Sequence, residues 1–269
     1  MSGTPLKRPA SVISREAGFT IPELISVMIV TVMFSGLIIF FAFQFWSSTA
    51  TLSNDLETFV SRLTAGDRLR ESINSSSGLI NQNSITDANV GYPDPAYPSG
   101  GYWNPLHAAP ATVTMGAAGT YTPVLYYKSP SIDTSGNIVL NGTQPYEDEF
   151  VLYLDGDTKQ LRMRVLANST APANRAVTSC PASLASITCP NDRLVGDNIS
   201  SVSLRYFSRS GNLIDYTSII DPLTGDYIGP DMPSVEVVEL TFYVYKKSTL
   251  HGGANTSNQN IIRIALRNK

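Results

Sequence analysis

The chain has 269 residues, of which 42% are hydrophobic and 15% charged, with a formal net charge of −3. That charged fraction is low against the roughly one quarter usual for soluble domains, and the near-neutral balance excludes a protein that holds nucleic acid by bulk charge. Two cysteines exclude a multi-bridge scaffold and a Cys-only zinc site, and two histidines leave little for a histidine-based metal cluster.

Residues 1–18, MSGTPLKRPASVISREAG, are polar, with Lys7, Arg8 and Arg15 against the single acid Glu16. From Leu24 to Phe43 the chain then runs for 20 residues without a charge. As a helix this run covers roughly 30 Å, the thickness of a hydrocarbon core. Basic residues precede it, and Asp55 and Glu57 come before the first basic residue after it, Arg62. The positive-inside rule therefore places residues 1–18 in the cytoplasm and the chain after Trp46 outside. A secretory signal peptide fits poorly, because its apolar region is about 7–15 residues long and a small-residue cleavage site follows it. Here Gln44, Phe45 and Trp46 follow the run, and the small residue Gly18 precedes it. Glu23 opens the apolar run, where a carboxylate is costly and needs a partner. It either snorkels to the interface or awaits a positive charge from another chain.

Those features coincide in Gly18-Phe19-Thr20-Ile21-Pro22-Glu23-Leu24. The segment resembles the class III signal of type IV prepilins and type II secretion pseudopilins. The resemblance implies cleavage between Gly18 and Phe19 by a prepilin peptidase, and N-methylation of Phe19. It also implies that Glu23 neutralises the amino-terminal charge of a neighbouring subunit as helices stack in a filament. The close likeness covers residues 15–45. Pro22 replaces the commoner aliphatic residue, in the first helical turn where a missing N–H costs little. No proline lies between Leu24 and Trp46, unlike many major pilins, which tilts the expectation toward a minor subunit.

Leu52, Leu56, Phe59 and Leu63 mark one apolar helical face, resumed by Leu69 and Ile73 after a slip at Gly66. Asn74-Ser75-Ser76-Ser77-Gly78 reads as a stop. The expectation is one helix from Phe19 to about residue 76, with a membrane half at 19–46 and an amphipathic half at 47–78. Residues 79–124 read as loop, rich in Asn, Gly, Pro and Tyr. Within them Tyr92, Tyr97, Tyr102 and Trp103 either cover the sheet edge from an ordered loop or form an exposed contact surface.

Strands are expected at Tyr121–Tyr127, in the hairpin FVLYLDGDTKQLRMRVL with its turn at Asp155-Gly156, at Ile199–Phe207, at Val235–Tyr245 and at Ile261–Leu266. Residues 125–269 thus form a β-rich head, and the fold class is α+β. The order of elements is also similar to J-type minor pseudopilins. Cys180 and Cys189 enclose eight residues, and a head outside the cytoplasm favours a disulfide between them.

Catalytic signatures are missing: there is no GxxxxGK[ST], no HExxH and no GxSxG. His107 and His251 read as surface residues, and Asp155, Asp157, Asp221, Asp226 and Asp231 as solvated turn residues. The last three offer oxygens for calcium, but their spacing matches no calcium loop, so no cofactor is expected. Arg162, Arg164 and Arg205 are the candidates for a local DNA-binding patch, and read better as solvent-facing positions of amphipathic strands.

The resulting expectation is a non-enzymatic structural subunit, a minor pilin of a type IV pilus-like filament. Its partners are other pilin subunits, the prepilin peptidase and an assembly platform membrane protein. It is held in the cytoplasmic membrane by a single pass before it joins a surface or periplasmic filament. The alternatives are a pseudopilin of a type II secretion system, a competence pilin for DNA uptake, and a tip adhesin using Tyr92–Trp103.

Overall fold

The computed structural model describes residues 20–95, 98–104, 112–184, 189, 191–214, 235–244 and 258–266. It falls into two compact units, residues 1–52 and 53–269. One helix, α1 (Ile21–Asn74), contributes to both. The described strands are β1 (Gly78–Ile80), β2 (Thr112–Thr114), β3 (Tyr121–Pro130), β4 (Leu140–Asn141), β5 (Gln144–Pro145), β6 (Glu147–Asp155), β7 (Gln160–Leu166), β8 (Arg193–Gly196), β9 (Ile199–Phe207), β10 (Val237–Val244) and β11 (Asn258–Ala265). The fold is α+β.

In the first unit, residues Ile21–Ala50 are long and apolar enough to cross a membrane. At 1.5 Å per residue they cover roughly 45 Å. Apolar side chains point outward all round, among them Phe34, Phe41 and Trp46. A helix apolar on every face needs an apolar surrounding. The hydroxyls of Ser26, Thr31 and Thr49 donate to the carbonyls of Pro22, Val27 and Phe45, so the helix satisfies these polar groups itself.

The second unit holds the sheets. One has five strands in the order β1-β3-β6-β7-β8, another has four in the order β11-β10-β9-β2, and β4 pairs with β5 alone. Every neighbouring pair is antiparallel. Ala65, Leu69 and Ile73, spaced four apart on one face of α1, share a core with both larger sheets. Leu152, Leu154 and Met163 come from one sheet, and Val202, Leu240 and Ile262 from the other. A β-carbon at Gly66 would lie 2.7 Å from Ile262 Cδ1. The break in apolar periodicity at Gly66 therefore marks a place where β11 comes close to the helix.

The five-stranded sheet is covered on its second face as well. Trp103, Tyr121, Tyr126, Val151, Tyr153 and Leu166 form another buried cluster, against which Ile80, Ile85 and Val90 pack. Burial on both faces replaces the usual alternation, and β3 and β6 are buried along most of their length.

That cover corrects several expectations. The stretch 79–124 is not all loop: it contains β2 and most of β1, while β3 begins at Tyr121 as expected. Strands of three residues carry too little pattern to be read. Nor were β4, β5 and β8 expected. Arg164 does not face solvent, being buried to 1% exposure because its side of β7 lies under the segment that follows β1. Arg162 is partly covered, and Arg205 is exposed as expected. Asp155 is buried, not solvated, and its carboxylate accepts from Asp157 N, Thr158 N and Thr158 Oγ1. The hairpin turn spans residues 156–159, and Lys159 takes the positive φ. Gly156 serves a different need: a β-carbon there would lie 2.3 Å from the carbonyl oxygen of Ala117.

Candidate functional site

Two places gather polar chemistry. The first is the start of α1. Thr20 is its N-cap, and Leu24 N donates to the Thr20 carbonyl at 3.1 Å. Glu23, three residues on, reaches back to accept from Thr20 N at 2.9 Å and Thr20 Oγ1 at 2.8 Å. This is the returning half of a capping box. A negative charge in the first turn also complements the helix dipole. Glu23 is thus held by its own chain and faces outward within the apolar helix. Gly18 and Phe19, the expected cleavage and methylation positions, lie outside the described residues, as do His107, His251, Asp221, Asp226 and Asp231.

The second place is the buried face of the five-stranded sheet. Arg164, opposite Val151 in the β6–β7 register, sends its guanidinium into a closed network. Nη1 donates to Asp87 Oδ2 at 2.8 Å and to the Asn89 carbonyl. Nη2 and Nε donate to Asp192 Oδ2 at 2.8 and 3.0 Å. Trp103 Nε1 donates to Asp87 at 2.7 Å, and Tyr153 OH to Asp192 at 2.6 Å. The guanidinium carbon lies 5.2 Å from the Trp103 ring centroid and 5.6 Å from that of Tyr153. Burial would pull the guanidinium down. The Asp192 hydrogen bond and the charges of Asp87 and Asp192 outweigh it and push Arg164 above its ordinary value. One cation against two anions leaves an excess negative charge, which the indole, phenol and Ser179 hydroxyl donors offset.

Three distant stretches are fastened there: residues 87–103, strand β7, and the segment carrying Ser179 and Asp192. The last also holds a disulfide between Cys180 and Cys189, with Cα atoms 5.4 Å apart. The chain-entropy model gives a loop of this length about 2.5–3 kcal/mol. Replacing both cysteines with serine is expected to lower unfolding stability by that amount, measured by urea denaturation in detergent micelles. Nearby, Glu149 accepts from Ser84 N at 2.8 Å and Ile85 N at 2.9 Å, pinning the segment after β1 to β6.

Trp103 is fully buried in this network, while Tyr92 remains 45% exposed. The aromatic segment therefore covers a sheet face, not an edge, and Trp103 offers nothing to an outside ligand. Sequence reasoning missed Asp87, Asp192 and the burial of Arg164. A signal was present: Phe150-Val151-Leu152-Tyr153-Leu154 is continuously apolar, as suits a strand covered on both sides.

Buried phenols are expected to set the alkaline limit of the head. Burial pushes Tyr126, Tyr127 and Tyr153 above the usual phenol range, and Asp192 adds to the effect at Tyr153. A folded-state value above the unfolded one means that the contribution is whole below the unfolded value and is lost above it. Stability is expected to hold to about pH 9.5 and to fall as pH rises beyond about 10. Urea midpoints against pH, with phenolate absorbance as the second probe, check this.

Among the described residues no group of three or more His, Cys, Asp or Glu side chains is placed to hold a metal ion. Comparison of the chain finds no match to a family model, to a curated protein or to a solved structure.

Proposed function

We propose that this chain is a structural, non-catalytic subunit of low abundance in a type IV pilus-like filament. In this reading a prepilin peptidase cuts after Gly18, Phe19 is methylated, and the apolar part of α1 holds the subunit in the cytoplasmic membrane with its amino terminus inside. An assembly platform then passes it to a filament of other pilin subunits. What carries the reading is Glu23: the one acidic residue of the outward-facing apolar stretch Ile21–Ala50, at its first turn. A carboxylate in lipid gains most from a neighbouring positive charge, and a newly cut amino terminus supplies one.

The test is mass spectrometry of the amino-terminal peptide from sheared filaments and from the membrane fraction. N-methylated Phe19 in filaments, at a small fraction of the most abundant pilin, is the expected result. An intact Met1 terminus confined to the membrane overturns the proposal.

A further inference from the structure

A separate cleft of about 580 Å3 opens on the head. Asn81, following β1, lines it together with Asn141 and Gln144 of the β4–β5 hairpin and Tyr146. No hydrogen bond among the described residues occupies the side-chain amides of Asn81, Asn141 and Gln144 or the Tyr146 hydroxyl. The charged side chains of the cleft, Lys128, Glu147 and Glu149, are all engaged, and the one carboxylate in excess, Glu149, accepts from Ser84 N, Ser84 Oγ and Ile85 N. Lys128 Nζ lies 2.5 Å from Glu147 Oε2, and Ser77 Oγ donates to Glu147 Oε1 at 2.6 Å.

These features select one class of ligand. Each open amide presents a donor and an acceptor side by side, the pattern that adjacent sugar hydroxyls present in return. The Tyr146 ring supplies an apolar face with a polar tip, suited to the C–H face of a pyranose. An anion would find its one cation, Lys128, already paired. A wholly apolar ligand would bury three amides without partners, at a cost for each. We propose that this cleft binds a neutral saccharide, with the Asn81 and Gln144 amides as its hydrogen-bonding groups. The inference does not rest on the filament reading, since purified protein suffices to test it.

Full-length protein in detergent micelles is applied to an array of neutral oligosaccharides built from glucose, galactose, mannose and N-acetylhexosamine, alongside sialylated and sulfated ones. Binding to a neutral group is expected, with affinity at least tenfold weaker in Asn81→Ala and in Gln144→Ala. Both positions are at the surface, and unchanged urea midpoints establish that the variants are folded. Tyr146→Phe, which keeps the ring, is expected to lose less affinity than Tyr146→Ala. Absence of binding to every neutral glycan, binding confined to sialylated or sulfated ones, or affinity unchanged in both amide variants overturns the proposal.

Discussion

Replacing Arg164 with methionine is expected to lower the stability of the protein by about 3–5 kcal/mol, the usual cost of breaking a buried ion pair from one side. The loss comes from what stays behind: Asp87 and Asp192, both buried, lose the guanidinium between them. Against a total of about 5–15 kcal/mol for a natural domain, that is a large share. Lysine should not rescue the site. A single ammonium cannot reach both carboxylates in the fork that Arg164 makes. Neutralising the aspartates together with the arginine, in Arg164→Met with Asp87→Asn and Asp192→Asn, should recover part of the loss, because residues in one network are not additive. Arg162→Met serves as the control, since that side chain is partly exposed, and it should cost less than about 1 kcal/mol. Urea titrations of the five proteins in micelles decide the matter. A loss below 1 kcal/mol for Arg164→Met would show that the network is not what fastens the three segments.

The second large effect concerns Glu23 and follows from the proposed filament. Glu23→Leu should leave insertion into the membrane intact, because it makes the helix more apolar. Its incorporation into filaments should fall by more than about 100-fold, the equivalent of roughly 3 kcal/mol for an unneutralised amino terminus in an apolar surrounding. Glu23→Gln is the more pointed variant. It can still accept from Thr20, so the helix start survives, but it carries no charge. If Glu23→Gln enters filaments as the parent does, Glu23 serves as a helix cap alone. Immunoblots of filament and membrane fractions give both numbers.

Much of this could be read from the residues because periodicity reports burial. The end of α1 and β9 follow the apolar spacing that one hydrophobic face imposes, and the β6–β7 pair shows as two apolar runs about a turn. What could not be read is instructive for the same reason. Arg164 sits in an alternating strand, and alternation says only that its face differs from that of Met163 and Val165. Whether that face meets water depends on the segment from Asn81 to Asn104, which has no period of its own. That segment is held by Glu149, by Arg164, by the Asn89 amide donating to the Cys180 and Pro181 carbonyls and by Tyr126 OH donating to the Asn104 carbonyl, and such long-range pairing leaves no local trace. The contact surface sought in Trp103 fails on the same ground, while Asn81 and Gln144, unremarkable in sequence, acquire meaning only when β1 and the β4–β5 hairpin bring them to one cleft. Sequence reasoning places the start of α1 at Phe19, two residues early, and misses the cap of Thr20 with Glu23, although both residues lie within four positions.

The covering segment is also closed at a neck. Asp94 N donates to the Tyr102 carbonyl at 2.9 Å, Asn104 N to that of Tyr92 at 2.8 Å, and Asp87 N to that of Gly101 at 2.8 Å. The core therefore senses the two ends of the stretch between Asp94 and Tyr102, and not its length. Each doubling of such a loop costs only about 0.6 kcal/mol in closure entropy. An epitope tag inserted beside the exposed Ser99, within this stretch, is therefore expected to leave the network beneath it in place.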